Sequence, residues 1–328
     1  MEKKRIAYLD AIKCLAILLV IDGHTRAVNG FDPYDSLSGQ MIYAPIIPLF
    51  FFVSGFLAYK QSMSIKDVWE NVRRKFVFLV IPAVAFCVGM DLMKGKNPLG
   101  FILGGWHGYW FTFVLFECFL LYYLITFIIK NENWRIGVLL ALSVVGIGML
   151  AVNKDFGPAI FDLRRVTKFF QFFVIGTLAM KFRPQYEKLM RNEVFKATVT
   201  LSFFIVVFLL DYDMPSILHH FLRDVLLRYL GTFAIVSFFF CHEEGFRSPT
   251  KFNSLIALIG QNSLAIYLIH YFFLPRFRPI PEWFAGLNMV TVHIMSLFYT
   301  VTITALCLVF IKFLSNSKFI SKYMLGKK

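Results

Sequence analysis

The sequence is short of charge: Asp, Glu, Lys and Arg make up only 16% of its 328 residues, against roughly a quarter in an ordinary soluble domain. It has no polar stretch long enough to enclose a core of its own, so no soluble domain is expected. It has no CxxC pair. Its five cysteines, Cys14, Cys87, Cys118, Cys241 and Cys307, all fall in or beside apolar runs. That spacing argues against a disulfide framework or a zinc site and fits small buried hydrophobes. No other metal-ligand spacing, low-complexity tract or clear internal repeat is present.

What is present is apolar surface. Hydrophobic residues make up 58% of the chain, and its mean hydropathy is +0.65. Runs of about 18 residues recur, each long enough to span a hydrocarbon core of about 30 Å. They are continuous rather than alternating, which points to helices and away from a barrel. The expected fold is all-α: a polytopic integral membrane protein with about ten transmembrane helices, 1–328 forming one membrane domain. The spans fall near 9–28, 43–59, 76–93, 109–129, 135–152, 168–181, 195–211, 222–241, 254–273 and 289–313.

The net charge is +14. In a soluble chain this would suggest nucleic acid; here it reads as the positive-inside bias, with no nucleic-acid partner. About two thirds of the 34 Lys and Arg fall in the N-terminal tail, the loops after even-numbered spans and the C-terminal tail. Both termini are therefore expected in the cytoplasm, which requires an even number of spans. The first apolar stretch carries Asp10 and Lys13 and is followed by no small-residue cleavage site, so it reads as a retained helix. The basic segment 60–75 has Val68, Val72 and Phe76 at helical spacing and reads as an interfacial helix. The tail 312–328 is placed against anionic membrane lipid.

Ionisable residues are costly inside a bilayer, so those within spans are functional candidates. Lys13 and His24 are eleven positions apart, which puts them on one helical face about 16 Å apart along the axis. Asp10 joins that face three positions before Lys13. The plainer reading is that Asp10 and Lys13 form an interfacial ion pair and that His24 bonds a neighbouring helix. Asp22 points to another face. In the second span, Pro45 and Pro48 break or kink the helix, and Ser54-Gly55 permits close helix approach. Arg73, Arg74 and Lys75 suit a phosphate-rich ligand, or serve only as topology anchors. Trp106, Tyr109 and Trp110 form an outer aromatic cluster suited to a sugar ring or to a membrane-interface belt. Glu117, two turns inside the fourth span, is expected to face Lys13, His24 or another cavity residue. Arg164, Arg165 and His270 lie at the outer ends of later spans and are expected to contact substrate.

These residues resemble a known family. Asp10-x-x-Lys13 followed by Gly23-His24, then Pro48-Leu49-Phe50-Phe51-Phe52-Val53-Ser54-Gly55-Phe56-Leu57, is similar to the membrane acyltransferase-3 family, and within it to the fucose 4-O-acetylase-like branch. Arg73-Arg74-Lys75 with Ile81-Pro82, Tyr109-Trp110-Phe111 and the run from Leu258 to His270 add to the likeness, which covers nearly the whole chain. The resemblance implies acyl transfer, usually of acetyl, from cytoplasmic acyl-CoA (acetyl-CoA as donor substrate) to a hydroxyl of a cell-envelope polysaccharide or lipid-linked sugar, in the inner or cytoplasmic membrane. It makes His24 the catalytic histidine, puts Lys13 where many relatives carry arginine, and assigns Arg73 and Arg74 to the acyl donor. Many relatives carry Trp-Ser-Leu-x-x-Glu where this chain has Trp110-Phe111 and Glu117, and the spacing differs. No esterase-like domain follows the membrane unit.

The chemistry agrees. A hydroxyl attacking a thioester needs a base, and neutral imidazole has a suitable pKa. An Asp or Glu would fix its tautomer, and Lys13 or Ser54 would stabilise the developing oxyanion. Direct transfer and an acyl-histidine intermediate both remain open. The competing expectation is a transporter of a glycan or lipid-linked sugar, which also uses polar stripes and broken helices, although no paired halves are visible. No pattern indicates a homo-oligomer.

Overall fold

A computed structural model describes residues 5–31, 36–95, 97–99, 108–152, 162–210, 212, 215–275 and 288–326, which form helices and no strands. Helix α1 spans Ala7–Val28 and ends at Asn29, beyond which Gly30 takes the left-handed conformation (φ 85°) that stops a helix without steric cost. Helix α2 spans Leu37–Tyr43, with Ser36 accepting at its N-cap. The chain breaks at Ala44-Pro45 and restarts as α3, Ile46–Ala58, because Pro45 has no N–H to continue α2.

Helix α4, Ile65–Lys75, is opened by a reciprocal capping box between Ser64 and Asp67. It runs through a π-turn at Phe76–Val80 into α5, Ile81–Met93. Val68 faces inward, whereas Ile65 and Trp69 stay exposed beside Arg73 and Arg74. The helix expected over 60–75 is present from Ile65 onward and runs on into the stretch that ends at Met93.

Then follow α6 (Trp110–Ile128), α7 (Glu132–Val152), α8 (Leu163–Lys181), α9 (Arg183–Arg191) and α10 (Glu193–Leu209). Helix α11 (Ser216–Phe221) passes through a second π-turn, Leu222–Leu226, into α12 (Leu227–Cys241). Helices α13 (Glu243–Arg247), α14 (Lys251–Gln261) and α15 (Ser263–Ile269) lead to a 3-10 turn at His270–Phe272; α16 (Met289–Leu314) and α17 (Lys318–Tyr323) close the chain.

Six helical stretches are long and apolar enough to cross a membrane: Leu37–Ala58, Ile65–Met93, Trp110–Ile128, Glu132–Met149, Ile217–Cys241 and Val290–Leu314. Two bent pairs, α9 with α10 (70°) and α14 with α15 and its 3-10 turn (63°), raise the number to eight if each is one crossing. The remaining two of the ten expected segments are also helical, but they carry more charge than an apolar span. Helix α1 holds Asp10, Lys13, Asp22 and Arg26, and α8 holds Arg164, Arg165, Lys168 and Lys181.

The chain divides into two compact units. The first comprises 1–50 and 187–313, and α1 is its axis. Helix α14 packs along α1, with α12 and α15 also against it. Gly260 of α14 faces the Asp10 backbone so closely that a Cβ would overlap the Asp10 carbonyl. Tyr8 meets Phe240 edge-on at 5.4 Å, and Ala44, Phe203, Val206, Val207, Leu210, Leu222 and Leu227 form an apolar cluster.

The second unit comprises 51–186 and 314–328. Its centre is α8, approached at backbone distance on two sides. Gly55 of α3 lies on the Phe173 carbonyl and Gly176 of α8 lies on Phe52 and Phe56, while Gly146 of α7 lies on the Thr167 carbonyl. Small residues at helix crossings are how apolar helices pack where no water drives them together. At one end, Glu132 pairs with Lys181 at 2.7 Å and Arg135 at 3.4 Å, and Arg135 donates to the Gln61 carbonyl at 2.8 Å.

Candidate active site

The residues the sequence singles out on α1 sort into two places. At its start, Asp10 is held by Lys13 at 2.7 Å and by Arg5 at 2.5 Å. The carboxylate is buried between the two cations, so Asp10 and Lys13 form an ion pair. His24 lies eleven residues further along an unbroken helix, about 16 Å away. Lys13 is therefore beyond reach of any atom reacting at His24, and the expectation that it stabilises an oxyanion there is not met.

At the other end of α1, His24 meets the turn that follows α15. Its Nδ1 is 2.8 Å from Nε2 of His270. The ring centres are 5.1 Å apart with planes 13° apart, a separation that means the rings meet edge to edge. The Tyr271 hydroxyl lies 3.2 Å from Nε2 of His24. His270 is fully buried, and its Nδ1 faces the carbonyls of Tyr267 at 2.7 Å and Ile266 at 3.2 Å. The bend between α14 and α15 sets this up. Asn262 turns the chain and bonds back to the Leu258 carbonyl at 2.7 Å. Asn29 then ties the end of α1 to this strand of chain, donating to the Thr25 carbonyl at 2.8 Å and to that of Pro275 at 3.1 Å. His270, expected to contact substrate, is instead the partner of His24.

Asp22 stands two residues before His24 and points elsewhere, as its helical position requires. It accepts from the hydroxyls of Tyr43 and Ser296 and pairs with Arg26 at 3.2 Å. Arg26 also lies 3.4 Å from Nε2 of His293. The two contacts Asp22–Ser296 and Arg26–His293 run in opposite chain directions, so α16 is antiparallel to α1. This cluster satisfies a partly buried carboxylate and fixes the α1 rotation that aims His24 at His270.

The remaining expected residues lie in the second unit. Ser54 is half buried on α3 beside the close contact at Gly55. Arg73 and Arg74 are exposed at the end of α4, with Arg74 donating to Asn71 at 3.0 Å. Lys75 turns inward, its ammonium 3.6 Å from the Phe119 ring centre. Among these three residues it is thus Arg73 and Arg74 that face outward. Tyr109 is 0% exposed, so its expected contact with substrate is not available; it is a core residue. The Trp110 ring is engaged by the Arg165 guanidinium at 4.6 Å and by Phe169 at 5.8 Å. Arg165 also pairs with Asp162, the N-cap of α8. Arg164 is exposed. Oε2 of Glu117 is buried with no hydrogen-bond partner. Trp106 lies outside the described residues.

Among the described residues, no three His, Cys, Asp or Glu side chains converge to hold a metal ion. Sequence reasoning missed Tyr271, Tyr43 and Ser296. Tyr271 follows directly on His270, but nothing in a residue pattern shows which ring it will face. The model of the acyltransferase-3 family, described as an acyltransferase domain, matches residues 6–312. No curated protein and no solved structure matches the chain.

Proposed function

The chain belongs to the acyltransferase-3 family and is a multi-pass membrane acyltransferase, and from that premise we propose that it moves an acetyl group from cytoplasmic acetyl-CoA to a hydroxyl of a cell-envelope polysaccharide or lipid-linked sugar. In this reading His24 is the general base. It works in the inner or cytoplasmic membrane, and its motifs align it with the fucose 4-O-acetylase-like branch. The chain crosses ten times, with both termini in the cytoplasm; α1 and α8 are the two charged crossings beside the six apolar and two bent ones.

The observation that carries the reading is the His24 site. An imidazole near the end of α1 has a ring nitrogen within hydrogen-bond distance of a hydroxyl, here that of Tyr271. A second imidazole holds its other nitrogen. A base able to take a proton from an alcohol is what acyl transfer to a hydroxyl requires. The donor's phosphates have a separate requirement, met by exposed cations: Arg73 and Arg74 provide planar forks suited to phosphate oxygens.

The test uses the purified protein in vesicles, supplied with labelled acetyl-CoA and envelope glycans from a strain lacking the gene. Ester-linked label on the glycan, with free CoA thiol released in step, supports the proposal. Glycan crossing the vesicle membrane with no thiol released would make the chain a transporter and overturn it.

A further inference from the structure

His24 has two ring nitrogens, and a base needs one that carries a lone pair. The surroundings decide which. Nδ1 of His270 faces two backbone carbonyls, Tyr267 and Ile266. Carbonyl oxygens only accept, so this nitrogen carries the proton. In the neutral ring, Nε2 of His270 is then an acceptor. The group 2.8 Å from it is Nδ1 of His24, which must donate. Nε2 of His24 is left with its lone pair, and the Tyr271 hydroxyl donates to it. One chain of donors and acceptors thus runs from the α15 backbone through two imidazoles to a hydroxyl, with every link satisfied.

We infer that His270 is a positioning residue that holds His24 in the Nδ1–H tautomer, making Nε2 the atom that takes the acceptor's proton. The inference rests on the acyl-transfer reading above. It replaces the carboxylate expected to orient His24. Asp22 is committed to Tyr43, Ser296 and Arg26, and Asp10 is at the opposite end of α1. The edge-to-edge contact suits the task, because an in-plane hydrogen bond fixes both the tautomer and the ring rotation.

The step balances as follows. The acceptor hydroxyl takes the place of the Tyr271 hydroxyl at Nε2. As its oxygen bonds to the thioester carbonyl carbon, its proton moves to Nε2. The C–S bond then breaks, and the departing thiolate takes that proton, leaving an ester, a free thiol and neutral His24. His270 keeps its own proton on the carbonyls throughout and accepts from Nδ1 of His24 at each stage.

The test is nitrogen NMR on full-length protein in lipid, with 15N-labelled histidine and a His24→Ala sample to assign the His24 signals. Wild type is expected to show a proton-bearing Nδ1 and a bare Nε2 on His24. His270→Phe keeps a ring but removes the acceptor; it should shift His24 toward the other tautomer and lower kcat about 10²-fold or more with KM for acetyl-CoA unchanged. His270→Gln, whose side-chain oxygen accepts, should restore part of both. Tyr271→Phe should leave the tautomer as it is. A proton on Nε2 of His24 in wild type overturns the inference, as does a His270→Phe protein with unchanged tautomer and kcat. If His270→Phe does not fold, the wild-type nitrogen pattern decides alone. A wild-type protein with the expected tautomer and no acyl transfer would sink the functional reading while leaving the geometry intact.

Discussion

Gly260 and Asp10 meet backbone to backbone, so that any side-chain carbon on Gly260 would overlap the Asp10 carbonyl. This contact fixes α14 on α1, and the bend that follows carries His270 to His24. A methyl group cannot be absorbed here by a flexible neighbour, because the obstacle is main chain. Gly260→Ala is expected to cost about 1–3 kcal/mol and to reduce transfer activity at temperatures where the protein is still folded. Gly89→Ala, which meets nothing within 4 Å, should be neutral or slightly stabilising. Thermal unfolding in detergent with parallel activity assays checks both, and equal stability of the two variants would contradict the account.

The ion pair at the start of α1 gives an ordering. Asp10→Asn leaves Lys13 without its carboxylate, whereas Lys13→Met leaves Asp10 still paired with Arg5. Asp10→Asn should therefore be the more destabilising change, since an unpaired charge in a low-dielectric site is the larger penalty. Melting temperatures of the two variants test this. A Lys13→Met protein as stable as wild type but inactive would return Lys13 to the chemistry.

Arg73 and Arg74 face outward and Lys75 does not. Replacing both arginines with glutamine should weaken acetyl-CoA binding about tenfold or more at low ionic strength, with the difference shrinking as salt screens the wild-type site. Calorimetry of acetyl-CoA binding at two salt concentrations measures it. Lys75→Gln should leave affinity near wild type. Unchanged affinity in the double variant would make the arginines topology signals only.

Much of the fold is legible in the sequence, and the shortfalls have physical causes. Apolar runs locate the helices because hydropathy is a local property. They do not locate the bend at Asn262 or separate α9 from α10, since a bent pair and a straight span have the same composition. The helix at Ile65–Lys75 is legible from the helical spacing of Val68, Val72 and Phe76, whereas its start at the Ser64–Asp67 capping box shows only in the structure. Within the site, His24 stands out because an ionisable group in an apolar run is conspicuous. Its partnership with His270 is not legible, because the two residues lie in segments far apart in the chain that only tertiary packing joins. The Asp10–Lys13–His24 stripe is correct as a helical face yet misleading as a site, because about four turns of helix separate its ends. Tyr109 fails as a sugar platform for the opposite reason: an aromatic residue at a span end looks the same in sequence whether it faces substrate or core.

The central claim is that His24 is the base for acyl transfer. The most direct measurement compares wild type with His24→Ala, both inserted and folded in vesicles, for transfer of labelled acetyl from acetyl-CoA to envelope glycan. The account predicts a loss of about 10²–10⁴-fold in kcat, the usual range for removing a general base, with acetyl-CoA binding retained. A His24→Ala protein that acetylates glycan at the wild-type rate would contradict it.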